Sequence, residues 1–335
     1  QTPSQTPSQI PDTTASDQPC ILLSAHLDTV FPAGTETTPR ETLDSPRILC
    51  PGACDNGAGL TALLALAAAL RYAGITPPIP ILFAANTCEE GEGDLRGMRH
   101  LFTDSPYAHR IAAAIALEGS GTATAVTRAL GSRRFRVTVA GPGGNSWSDA
   151  ATPNPITLIA RALAALADLP TLNPVAASDE TRTTLSPGQI TGGTSINSIP
   201  QAATVSLDLR STDPAQLEAH ALLIHQVFTS ITEPHPVISL RIEQIGDRPA
   251  AALSTDSPLL DTLRAVDRHL ALRTELRLGS TDANIPLALG IPAAALSAGG
   301  TGGGIHTLAE WYDPTGRETA LRRILLTLLD LTQSP

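Results

Sequence analysis

The chain has 335 residues and a formal net charge of −10, and it contains no lysine, so every strongly basic side chain is an arginine. An acidic chain without basic clusters argues against nucleic acid or an anionic membrane as partner. No apolar run reaches the length of a membrane span. The length suits two domains. Aromatic residues are only 3% of the chain, so alanine and leucine must carry the packing.

Residues 1–18 repeat QTPS and are rich in Pro, Ser and Thr. They offer too little apolar surface to order themselves. No signal-peptide pattern and no initiating Met are present. A cytoplasmic protein is expected, with export left open because the N-terminus reads as processed or incomplete. The first half then alternates strand and helix. Strands are expected at Cys20–Ala25, Ile79–Ala85 and Ile111–Leu117, and helices at Asn56–Tyr72 and from Gly97 to Thr103. This rhythm predicts a parallel sheet covered on both faces.

The pattern changes near Gly131. Arg133–Ala140 alternates polar and apolar residues, as a half-exposed strand does. Helix Pro155–Leu169 follows, with Asn154 as its cap. Next come strands Thr183–Thr191 and Thr204–Arg210, helix Pro214–Ile231 capped by Asp213, and strand Val237–Ile245. The order βαββαβ is that of a ferredoxin-like unit. After Pro249 the first pattern resumes, with helix Pro258–Ala271, strand Thr274–Leu278, a helix near Asn284–Leu289, strand Pro292–Leu296 and helix Arg317–Leu331. The expected architecture is α/β: a doubly wound, mostly parallel sheet over 19–131 and 247–335, with a ferredoxin-like α+β domain inserted at 132–246.

Several apolar strands stop on residues that bind metals. Cys20–Ala25 ends in His26, Ile79–Thr87 in Glu89 and Glu90, and Ile111–Leu117 in Glu118. Ile291–Leu296 runs into a glycine-rich turn and His306. Asp55 opens a helix. Ligands of open α/β sheets collect outside the carboxyl ends of the strands. Two imidazoles and three carboxylates would therefore converge, with a carboxylate to spare, and zinc accepts such donors. Asp28, two residues after His26, is placed to accept an imidazole N–H and fix the ring. Adjacent Glu89 and Glu90 point apart, so one would ligate metal while the other serves as general base. Each signal also has a plainer reading: Asp55 as a helix N-cap, Glu89 and Glu90 as part of an acidic loop. The four cysteines form no CxxC pair and read as free thiols. The glycines at 299–304 lack the strand–loop–helix and lysine of a phosphate cradle.

At these residues the chain resembles the co-catalytic zinc peptidases that include peptidase T, glutamate carboxypeptidase, aminoacylase, succinyl-diaminopimelate desuccinylase and acetylornithine deacetylase. The motifs are SAHLDTV (Ser24–Val30), GACDNGAG (Gly52–Gly59), NTCEEGEGDLRG (Asn86–Gly97), ALEG (Ala116–Gly119), GPGGNSW (Gly141–Trp147), GGTSINSIP (Gly192–Pro200), LDLRS (Leu207–Ser211), STDANIP (Ser280–Pro286) and GGTGGGIHT (Gly299–Thr307). The resemblance covers nearly everything after residue 19. It implies two Zn²⁺ ions, replaceable by Mn²⁺ or Co²⁺, with Asp55 bridging, Glu90 and His306 on one ion, and His26 and Glu118 on the other. Glu89 would be the general base and Asp28 would orient His26. The Asp55–Asn56 peptide would be cis. The inserted domain would be a dimerisation lid, making a homodimer, and Asn197 and Arg210 match lid positions that contact substrate. Such an enzyme hydrolyses amide bonds in small peptides or N-acyl amino acids.

One departure stands out. Asn145 in GPGGNSW replaces a histidine that in the family reaches across the dimer to the oxyanion. An amide donates one hydrogen bond but carries no charge, and losing an oxyanion donor costs ~10²–10³ in rate. The alternative is therefore a catalytically impaired relative that holds metal and binds a ligand.

Overall fold

The computed structural model describes residues 17–42, 45–172 and 182–333. The expected disordered stretch 1–18 falls outside the described residues except for Asp17 and Gln18. The main sheet runs Ala251–Ala252, Thr124–Ala129, Ala293–Leu296, Ile111–Leu117, Cys20–His26 and Ile81–Asn86, with Glu275–Gly279 also paired to Thr124–Ala129. The four strands from Ala293–Leu296 to Ile81–Asn86 are mutually parallel. Thr124–Ala129 runs against Ala293–Leu296, so the sheet is mixed at that side.

Every residue of Cys20–His26 is buried. Alternate side chains of a strand face opposite ways. Accordingly Ile21, Leu23 and Ala25 pack with Ala62 and Leu66 of helix Gly57–Ala73 and with Ile324 and Leu328 of helix Glu318–Leu331. Cys20 and Leu22 pack with Met98 and Phe102 of helix Arg96–Thr103 and with Ile285 and Leu287 of helix Asn284–Ala288. Helices thus cover both faces, which is the expected doubly wound arrangement. His26 stands level with Asn86, and Ser24 with Ala116. The chain beyond each strand therefore emerges at one edge, which is where His26, Glu89, Glu90 and Glu118 meet.

A second, antiparallel sheet runs Ser239–Arg248, Gly131–Ala140, Ala202–Ser211 and Thr183–Gly192. Helices Pro155–Ala167 and Pro214–Thr232 pack on one face of it. Their caps are the expected ones: Asn154 accepts from the Ile156 N–H, and Asp213 from the Ala215 N–H. Along Ala202–Ser211 the burial alternates. Val205, Leu207 and Leu209 join the helices, while Asp208 and Arg210 take the other face, and Arg210 there borders the cleft at the main sheet's edge.

The sequence pattern missed a small sheet of Thr301–Gly303, Trp311–Asp313, Ser45–Leu49 and Arg40–Thr42. Its strands are short, and one is mostly glycine. Such strands carry no period of their own and exist through long-range pairing. This sheet carries the loops that hold Asp55 and His306. Thr124–Ala129 was likewise unread as a strand.

Candidate metal centre

His26 ends a buried strand, and its ring is 1% exposed. Its Nδ1 lies 3.0 Å from the backbone carbonyl of Asp28 and 3.8 Å from the Asp28 carboxylate. The ring is therefore held by the carbonyl, and Nε2 turns to Asp55 and Glu118. The Asp28 carboxylate instead accepts the backbone N–H groups of Glu89, at 3.1 Å, and Glu90, at 2.8 Å. One residue thus fixes the imidazole and the peptide that presents the paired glutamates. Cys88, just before them, sits at φ 64°, in the left-handed region.

Asp55 is not the helix cap. Asn56 takes that place, its Oδ1 accepting from Gly59 N–H and its Nδ2 donating to Leu117 O at 2.8 Å. The Asp55 carboxylate is left free for the cleft. The Asp55–Asn56 peptide is cis. The turn is gripped by Glu310, a residue that sequence reasoning missed. Glu310 is 1% exposed, and its carboxylate accepts the N–H groups of Gly52, Cys54 and Asp55 at 2.8–2.9 Å. It belongs to the same loop as His306, so one loop supplies an imidazole and anchors the turn of Asp55. Gly302 packs this loop against Cys54 so closely that a Cβ would collide with the Cys54 sulfur.

The five expected donors meet. His26 Nε2 is 3.1 Å from Asp55 Oδ1 and 3.5 Å from Glu118 Oε1. His306 Nε2 is 3.0 Å from Asp55 Oδ2 and 3.2 Å from Glu90 Oε1. The two oxygens of Asp55 therefore face different histidines. Donor atoms of His26, Asp55 and Glu118 lie within 4.8 Å of one another, as do those of Asp55, Glu90 and His306, and those of His26, Glu89 and Glu90.

Glu89 lies deeper, 5% exposed, beside Arg248, whose Nη1 is 3.3 Å from its Oε1 and whose Nη2 donates to its carbonyl. Arg248 is itself 5% exposed and was not picked out by sequence pattern. Asp282, 1% exposed and bound by Asn86 Nδ2 at 2.8 Å, is a further buried acid unread in the sequence. A strand-end arginine and an Asp in a small-residue turn carry no periodic signal.

Crowding of acids sets the electrostatics. Burial, then the negative charge of Glu118, pushes the Glu89 carboxyl up to about 9 against the pull of Arg248. Burial raises Glu118 to about 7 despite its contact with His26, and burial raises Asp282 to about 6. Burial disfavours charge on His26, but the carboxylates of Asp55 and Glu118, 3.1 and 3.5 Å from Nε2, outweigh it and lift the imidazole to about 12. The acids raise one another's pKa here, so a positive charge placed among them is welcome.

Whether a cation fits can be judged from unused atoms. His26 Nε2, Asp55 Oδ1 and Glu118 Oε2 are buried without a hydrogen-bond partner. Buried polar atoms are normally paired. Orphans of imidazole and carboxylate type, on three residues whose donor atoms lie within 4.8 Å of one another, match the donor preference of zinc and similar divalent ions.

The remaining candidates divide. Arg210 lines the cleft with Asp55, Glu89 and His306. Asn145 and Asn197 lie together elsewhere on the inserted unit: Ser146 N–H donates to Asn197 O, and the Asn145 side chain accepts from Trp147 and Ser148 N–H. Both are exposed and neither lines the cleft.

A doubly wound sheet whose strand ends gather such donors defines a metal-dependent hydrolase. Residues 22–331 match the profile of Peptidase family M20/M25/M40, and the chain belongs to that family. It is a metallopeptidase or amidohydrolase that uses a divalent metal. A Mycobacterium tuberculosis protein, provisionally named succinyl-diaminopimelate desuccinylase DapE, is 28% identical over 91% of this chain and 82% of its own. The solved structure of a Staphylococcus aureus tripeptidase superposes with a TM-score of 0.75 at 22% identity, covering 96% of this chain and 83% of that one. A Bacillus subtilis protein, YxeP, described as a dinuclear metal-binding peptidase of the M20 family, gives 0.69 at 15% identity over 96% and 83%.

Proposed function

We propose that the chain hydrolyses the amide bond of small peptides or N-acyl amino acids at a pair of zinc ions, with Glu89 as general base. The observation that carries this is Asp55, whose two carboxylate oxygens address different histidines, each with its own glutamate. His26 and Glu118 would hold one ion, His306 and Glu90 the other, with Asp55 shared. Bound there, two cations supply Lewis acidity that acidifies a water and polarises an acyl carbonyl.

The chain's own groups do the rest. Glu89 takes a proton from the attacking water and returns it to the departing amine, so amide and water become carboxylic acid and amine. Its buried setting beside Arg248 favours both states of such a base. Arg210 faces the cleft from the lid and suits the substrate's carboxylate. Residues 132–246 would act as the lid that closes over the site. Exposed Trp147, Ile190 and Ile196 and the outer strand Thr183–Gly192 support pairing of two lids, which would bring Asn145 of one copy towards the oxyanion of the other. A cytoplasmic setting is consistent with free cysteines.

Zinc titration of chelator-stripped protein is expected to end at two equivalents and to restore hydrolysis of a peptide and N-acyl amino acid panel. A single equivalent refutes the paired ions. Full activity in stripped protein refutes the metal-dependent reading. Sedimentation equilibrium tests the dimer, which a monomer at micromolar concentration rules out.

A further inference from the structure

The loop that presents Glu89 and Glu90 is folded against its own preferences. Cys88, Asp94 and Leu95 sit at φ 64°, 54° and 59°, in the left-handed region that residues with a Cβ rarely adopt. Gly93 packs so tightly on the Cys88 backbone that a Cβ would collide with it. Such conformations persist where the surroundings over-determine them. Much of the restraint comes from the second sheet, through Gly131–Ala140 and Ser239–Arg248, the strands that carry the chain into and out of it.

These contacts close a ring. Both carboxylate oxygens of Asp94 accept the Asp247 N–H, at 2.9 and 3.1 Å. The next residue, Arg248, returns to the loop: its Nη2 donates to the Glu89 carbonyl, and its Nη1 lies 3.3 Å from Glu89 Oε1. The ring thus runs from Glu89 along the loop to Asp94, across to Asp247, on to Arg248 and back. Asp247 is pinned further, since Arg99 donates to its carbonyl and Arg133 to its carboxylate. Arg134 donates to the Gly91 carbonyl, midway along the loop. The strand makes room for the clamp: its register slips between Gln244 and Gly246, and a Cβ on Gly246 would press on Asp94 Oδ1 at 3.4 Å. Asp94 itself does not line the cleft, so it reaches the chemistry only through this ring. We propose that Asp94 is a positioning residue for Glu89: it locks the glutamate loop to the strand that ends in Arg248, and so fixes where the carboxylate of the base lies. This rests on the reading of Glu89 as general base.

The test uses the zinc-loaded enzyme on its best substrate from the peptide and N-acyl amino acid panel. A displacement of about 1 Å at a reacting group costs about 10²-fold in rate, so Asp94→Ala should lower kcat by about that factor. KM should change little, as for an interaction made in the transition state. Asp94→Asn keeps an acceptor for the Asp247 N–H and should recover most of the loss. Arg248→Gln breaks the same ring elsewhere, so adding Asp94→Ala to it should cost little further kcat. Hydrogen exchange supplies a readout without turnover: in Asp94→Ala the amides of the glutamate loop and of Asp247 should exchange faster, and those of helix Gly57–Ala73 at the parent's rate. A kcat loss that Asp94→Asn fails to recover, or that multiplies with the loss in Arg248→Gln, overturns the inference. So does exchange quickened evenly along the chain, which would make Asp94 a plain stabiliser. Parental kcat in Asp94→Ala beside a crippled Glu89→Gln overturns the ring and leaves the base standing. Parental kcat in Glu89→Gln overturns both.

Discussion

Two clusters of buried charge lie in this molecule, and they are built to opposite rules. In one, Arg323 is 1% exposed and spends all five of its N–H donors. Two go to Asp267, at 2.7 and 3.3 Å, two to the carbonyls of Thr122 and Thr124, and one to Thr274. Thr274 in turn donates to Asp267. Charge, hydrogen bonds and geometry close on themselves. In the other, His26, Asp55 and Glu118 each leave a buried atom without a hydrogen bond. Breaking the closed cluster should cost stability. Altering the open one should cost chemistry.

The largest expected effect is at Glu89. Replacing a positioned general base removes about 10²–10⁴ in rate, so Glu89→Gln should lose that much kcat while still taking up zinc, measured by elemental analysis. An unchanged kcat would return Glu89 to the acidic-loop reading. Next is Arg323→Met, which strands the Asp267 carboxylate. Breaking a buried pair costs about 3–5 kcal/mol, read from the urea midpoint, with metal uptake at 25 °C preserved. A variant as stable as the parent would show that the closed cluster is not a structural keystone.

Glu310 tests the boundary between the two kinds. It is closed, with three N–H groups on one carboxylate, yet it holds an open-cluster residue. Outer partners of metal ligands typically affect affinity 10–100-fold. Glu310→Gln should weaken zinc by about that factor and shift the visible bands of the Co²⁺ form, while Glu310→Asp recovers part of the loss. Unaltered zinc affinity and Co²⁺ bands would make Glu310 a plain loop brace.

The smallest effect is a pH trend in chelator-stripped protein. The folded Glu89 carboxyl titrates near 9, above its ordinary 4.5, so the folded state retains a proton that the unfolded chain sheds. Stability from this group is complete below about pH 4.5 and is lost as pH rises towards 9. The Tm of Glu89→Gln should therefore gain on the parent's across that window, and zinc should narrow the gap. A constant difference would mean that Glu89 ionises freely.

Much of this was legible in one dimension. The alternation of buried strands and helices, the change of rhythm at Gly131 and its return after Pro249 foretold the fold and the inserted unit. Strands that end abruptly on His26 and Glu118 pointed to side chains that the fold brings together, because parallel strands share an edge. What stayed hidden has a common cause. Glu310, Arg248 and Asp282 act through partners up to 258 residues away, and nothing adjacent to them marks them. The sheet of Thr301–Gly303 and its neighbours escaped because strands of three to five residues show too little period to read.

The chain order of side chains, with its periodicities, determined which residues emerge at the strand ends, since backbone geometry dictates direction locally. Only the folded molecule decided which carboxylates are spent and which stay free. Asn56 caps the helix in place of Asp55, and the carboxylate of Asp28 holds a peptide rather than the imidazole. Pairing of polar atoms is settled by distances of a few ångströms between segments far apart in sequence, and such distances do not exist until the chain has folded.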